Sequence, residues 1–183
     1  MSEHQTHTNP EGQFVKRTVE VGGITKRELI NKLHASSIRL NKYGEKLLLD
    51  DKFLVSKNKY HLKTVELTVH SLGFQQGANT SDLFRKAKEL GLSLCPVELG
   101  PFLRLVYTDQ HEHESNVKNQ APAGAVTIAS EPLYQHDDFP KGFYLRRIDE
   151  ELWLRGYTAD DLHVWNPEDV FIFCFKGETE TGQ

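Results

Sequence analysis

The run His111-Glu112-His113-Glu114, with His136-Asp137-Asp138 and His163 further along, is the cluster in this chain whose side chains could ligate a divalent cation. Zinc wants ligands fixed on rigid elements and oriented by outer hydrogen bonds. The run stands in a segment that reads as a surface loop, so it is taken as solvated and no metal is expected. Cys95 with a distant histidine could supply a nucleophile and a base, but no local sequence supports that pairing. Glu98, Arg104 and Asp109 with loop histidines could furnish acid, base and charge-stabilising groups for a small hydrolase or transferase. No nucleophile, base and orienting group can be assembled from these, so catalytic residues stay unassigned and no cofactor is expected.

The more specific pattern lies in Phe143 to Tyr157. A turn on Asp149 and Glu150, or a four-residue loop from Ile148 to Glu151, sets Arg147 opposite Leu152, Leu145 opposite Leu154 and Phe143 opposite Gly156. That face is mostly apolar. The other carries Tyr144, Arg146 and Ile148 against Arg155, Trp153 and Glu151, so aromatic rings and guanidinium groups alternate across the pair. A three-residue loop would mix Arg with Leu on both faces, which argues for the first register. Arginine stacked on Trp or Tyr keeps its planar donors free for a carboxylate or phosphate. Tyr144, Arg146, Trp153 and Arg155 are therefore the expected ligand-binding residues, for an anionic ligand or an acidic segment of a protein partner; the competing reading is a structural ladder.

The elements that must position this hairpin follow from periodicity. Residues 1–13 are polar with Pro10 and Gly12 and read as a disordered tail, as do 177–183. Phe14 to Val21 alternates like a strand ended by Gly22-Gly23. Thr25 and Glu28 form a capping box ahead of a helix over 26–36 with Leu29, Ile30 and Leu33 on one face. Asn41 opens a second short helix ending near Asp50, making residues 25–56 a helical N-terminal part. Val65 to Val69 alternates as a half-buried strand. The run from Asn79 to Gly91 is a capped amphipathic helix over 80–90. Pro96 and Pro101 break the chain, and Phe102 to Tyr107 reads as a strand. A long polar loop spans Thr108 to Gly124. Ala125 to Ala129 is a short strand, and the apolar Val170 to Phe175 suits the middle of a sheet.

Composition narrows the function classes. The chain has 183 residues, 26% charged and 38% hydrophobic, enough for one domain with a real core. A net charge of -4 gives no electrostatic reason to expect nucleic acid. The two short N-terminal helices offer no basic recognition face, since Lys42 and Lys46 are balanced by Glu45, Asp50 and Asp51. No apolar run reaches the roughly 20 residues of a membrane span, and the first residues lack a signal-peptide pattern. With Cys95 and Cys174 the only cysteines, a cytoplasmic protein with buried thiols is expected. The phosphate loop, dinucleotide fingerprint, nucleophile elbow and zincin helix are all missing from the sequence.

The segments LFRKAKELGLSLCPVELGPFLRLVYTDQ and PKGFYLRRIDEELWLRGYTADDLHVWNPEDVFIF resemble a group of small bacterial proteins with no established activity, some of which carry a helicase label. The likeness spans about residues 23–175 and brings no catalytic residues with it. The chain holds no helicase motif.

The expectation is thus one α+β domain over 14–176, its mostly antiparallel sheet covered on one face by helices 26–36 and 80–90. Its leading function is a non-enzymatic binding or protein-interaction module. The alternative is the small hydrolase or transferase built on Glu98, Arg104, Asp109 and loop histidines.

Overall fold

The computed structural model describes residues 6–9, 12–113 and 121–181. In chain order its elements are β1 (Thr6–Asn9), β2 (Gly12–Val21), α1 (Lys26–Ala35), β3 (Arg39–Leu40), α2 (Lys42–Leu49), β4 (Tyr60–Thr68), β5 (Ala78–Asn79), α3 (Thr80–Glu89), β6 (Leu92–Ser93), α4 (Leu99–Val106), β7 (Val126–Ile128), β8 (Gly142–Ile148), β9 (Glu151–Tyr157), β10 (Val164–Trp165) and β11 (Val170–Thr181). Among the described residues, nine of the strands form one sheet in the order β1-β2-β4-β11-β7-β8-β9-β3, with β6 also on β11; β10 and β5 make a separate ribbon. The β7–β11 and β3–β9 pairs are parallel and the others antiparallel, so the molecule is α+β with a mostly antiparallel sheet.

The helices start where capping chemistry places them. Thr25 and Glu28 close the expected capping box on α1, and Asn41 and Asn79 accept from Gly44 and Asp82 amides at the starts of α2 and α3. Strand β11 is the middle of the sheet, as its apolar run requires, and its alternating side chains feed two cores. Ile172 and Cys174 join Leu29, Leu33, Leu47, Leu48, Leu99 and Leu103 on one side, while Phe171 and Phe173 join Leu83, Ala87 and Trp165 on the other. Helices α1, α2 and α4 therefore pack on one face and α3 on the opposite face, which corrects the expectation that α1 and α3 share a face. An amphipathic stripe says which side of a helix is apolar, but not which side of a sheet receives it.

The expected strand over Phe102–Tyr107 is helix α4. Its first six residues, Leu99 to Arg104, are all buried, so the run shows no polar face that would betray a 3.6-residue period. Pro101 is the third residue of the helix, where its missing amide would have no intrahelical acceptor in any case. Gly100 lets α4 lie against β8: a methyl there would come within 2.6 Å of the Phe143 ring.

Strand also enters both stretches read as tails, with Thr6–Asn9 pairing on β2 and Thr179–Thr181 on Tyr60–Leu62. Main-chain pairing at a sheet edge needs no core side chains, which composition cannot register. The remainder of those tails (1–5, 10–11 and 182–183), and residues 114–120 of the long loop, lie outside the described residues. Cys95 and Cys174 are buried in the first core with their sulfurs 3.1 Å apart.

Candidate functional site

Strands β8 and β9 pair in the register that alternation requires, with Tyr144 opposite Arg155, Arg146 opposite Trp153 and Ile148 opposite Glu151. The turn has two residues, Asp149 and Glu150, at φ 49° and 65°. Two positive φ values match the right-handed twist of the strands, but neither residue is the glycine that adopts them freely. Glu112 steadies the turn: its carboxylate accepts from the Asp149 amide at 2.8 Å and the Glu150 amide at 3.1 Å. Those amides, followed by the charges of Arg147 and Arg146, hold the Glu112 carboxyl below its ordinary range. Residue 112 thus acts as an oxygen clamp on the turn.

Leu145 and Leu154 point to the first core, and the opposite face carries the four expected residues, all half-buried. Arg155 Nε donates to Tyr144 Oη at 2.7 Å, while its guanidinium lies 5.0 Å from the Trp153 ring centre and 5.8 Å from that of Tyr144. Arg39 reaches the Trp153 ring from β3 at 5.9 Å and pairs with Glu151 at 3.3 Å. Among the described residues, neither Arg146 nor Arg155 pairs with a carboxylate. The cross-strand neighbours Arg146 and Trp153 each present a buried N–H, Nε and Nε1, with no acceptor among the described residues. A buried donor without an acceptor is destabilising by about 1 to 3 kcal/mol, and Arg104 Nε on the core side is in the same condition.

The core side of the same two positions is held by a residue the sequence offers as catalytic. Arg104 is fully buried on α4 and donates to Gln110 Oε1 at 2.6 Å, to the Tyr107 carbonyl, to the Trp153 carbonyl at 3.3 Å and to the Arg146 carbonyl at 3.5 Å. Gln110 in turn donates to the carbonyls of Gly124 and Leu145 at 2.9 and 3.0 Å. Burial pushes Arg104 down to about 10, which leaves it charged at neutral pH. It grips the backbone beneath Arg146 and Trp153 and does not reach the outer face. Gln110 is an undistinguished member of a polar run in the sequence, and nothing there signals this role.

The other residues of the enzyme alternative are dispersed. Glu98 is buried and accepts from the Ser56 amide at 2.8 Å, Ser56 Oγ at 2.6 Å and Tyr60 Oη at 2.5 Å, tying the start of α4 to the segment before β4. Burial, and after it the bond to Glu98, raises the Tyr60 phenol above its usual value. Glu98 and Arg104 sit six residues apart on or beside one helix, each with its own partners. Asp109, His111 and His113 are exposed in the following segment, and His136 pairs with Asp138 at 3.0 Å. Among the described residues no group of three or more His, Cys, Asp and Glu side chains comes together as a metal site.

Beside Tyr144 the same sheet face opens into a cavity of about 510 Å³, lined by Thr127, Tyr144, Tyr157, His163 and Trp165 with Asp137 and Asp160. Its volume falls within the range that holds small organic molecules. It is assembled from β7, β8, β9 and the segment around β10, so no local stretch of sequence announces it.

No family model, curated protein or solved structure matches the chain. Among the described residues no helix is long and apolar enough to cross a membrane.

Proposed function

We propose that this chain is a non-enzymatic binding protein whose hairpin face, Tyr144, Arg146, Trp153 and Arg155, captures an anionic group of its ligand. One observation carries the reading: Arg146 Nε and Trp153 Nε1 are adjacent, buried and without an acceptor, on a face whose two arginines pair with no carboxylate among the described residues. Arg104 Nε is unpartnered as well, but on the core side, whereas Arg146 and Trp153 are half-buried on the outer face. A carboxylate or phosphate would satisfy them, and Tyr144 already holds Arg155 in place for it. Pre-organised planar donors on a paired strand lose little freedom on binding, which favours affinity.

Titration calorimetry with phenyl phosphate, an aromatic anion, and with a glutamate-rich peptide tests the reading. Binding of either probe, weakened about tenfold by Arg146→Ala or Arg155→Ala, about 1.4 kcal/mol, supports it. Affinity unchanged in the double arginine variant, or no heat from either probe, overturns it.

A further inference from the structure

We infer that the cavity beside the hairpin face, which shares Tyr144 with it, is a second binding site, for an organic ammonium group. Rings of Tyr144, Tyr157, Trp165 and His163 line it, with neighbours at 6.5 Å and 59° for Tyr144–Tyr157, 5.7 Å and 85° for Tyr157–Trp165, and 4.7 Å and 84° for His163–Trp165. The rings meet one another edge to face or tilted rather than stacked, with Trp165 at the base where it also packs on Phe171. The formally charged side chains in the lining, leaving His163 aside, are both carboxylates, Asp137 and Asp160. The remaining polar side chains are hydroxyls, those of Thr127, Tyr144, Tyr157 and Thr158. Burial raises the Tyr157 phenol above its usual value, so its oxygen stays neutral and can accept. A cavity lined by aromatic rings together with carboxylate and hydroxyl oxygens suits an ammonium ion, which is drawn to aromatic rings and to anionic oxygen together.

The cations nearby do not fill this role. Lys141 pairs with Asp137 at 3.3 Å and donates to the carbonyls of Gln135 and His136, which leaves Asp160, among the described residues, as the lining carboxylate not committed to a cation. Asp160 Oδ1 accepts from the Leu162 amide at 3.0 Å, fixing the carboxylate at the rim. Arg155 donates to the Tyr144 hydroxyl and is not among the lining residues of the cavity. The inference stands on the cavity alone and holds whether or not the hairpin binds an anion.

The two tryptophans make the test direct, because Trp165 lines the cavity and Trp153 lies on the hairpin. Their indole N–H resonances in ¹⁵N-labelled protein, assigned by the loss of one signal in Trp153→Phe, are followed while tetramethylammonium or butylammonium chloride is added against sodium chloride at equal ionic strength. A saturable shift of the Trp165 signal, with affinity reduced threefold or more in Asp160→Asn, is the expected result. The asparagine keeps the acceptor for the Leu162 amide, so the rim is preserved. No saturable shift beyond the sodium control overturns the inference, as does a shift confined to Trp153 or an affinity unchanged in the Asp137→Asn, Asp160→Asn double variant.

Discussion

Arg146 and Arg155 sit on the wet side of the hairpin while Arg104 sits beneath it, and substitution separates the two situations. Neither arginine pairs with a carboxylate among the described residues, and Arg146 Nε is an unpartnered buried donor, so Arg146→Ala and Arg155→Ala are expected to cost no more than about 1 kcal/mol, a melting-temperature shift of no more than about 2 to 4 °C. Arg104→Ala should instead remove about 3 to 5 kcal/mol, because it deletes a fully buried side chain and strands the Gln110 and main-chain oxygens it serves. Arg104→Lys should restore little, since one ammonium cannot span acceptors that a planar fork reaches together. Urea denaturation of the four variants checks these expectations; equal losses would erase the distinction. The outer face was legible in the sequence because strand alternation puts Tyr144, Arg146, Trp153 and Arg155 together whatever lies beyond. Arg104 was conspicuous as a charged residue in an apolar run, yet its partners are main-chain carbonyls, which every residue carries and no sequence marks.

The hairpin turn is tied to the rest of the chain through Glu112, and that tie is pH-dependent in a direction that can be worked out. Two amide donors lower the folded-state pKa of this carboxyl below its unfolded value near 4.3. Its contribution is therefore present above about pH 4.3 and is lost as pH falls through the lower folded value. Glu112→Gln should melt below the parent at pH 7, and the gap between the two should shrink as pH falls from 4 toward 2, where the parent carboxyl is also protonated. Melting curves across that range decide the point; a gap independent of pH would show that the carboxylate charge plays no part. Elements with a periodic pattern or a cap, such as α1, α3 and the hairpin, were readable in advance. α4 was not, because a short helix whose first six residues are all buried has the same composition as a buried strand, and arrangement in space, not local preference, settles it.

Two cores share β11, one residue to each in turn, so neither can lose its packing without disturbing the strand that walls the other. Leu154→Ala in the first core and Phe173→Ala in the second are each expected to remove about 2 to 5 kcal/mol while preserving one cooperative transition. Calorimetry showing two resolved peaks in either variant would mean that the faces unfold independently. At this scale the fold class was within reach of pattern reading, whereas the cavity beside Tyr144 was not: its lining comes from strands and segments separated by tens of residues.

Cys95 and Cys174 lie side by side in the first core, 3% and 2% exposed, and burial raises the Cys95 thiol well above its ordinary value. Neither can meet a reagent while that core is closed. The protein thus carries its own clock for core opening: in native buffer both thiols should take up an alkylating reagent at one shared rate, and that rate should keep time with global unfolding and not with the movements of the hairpin.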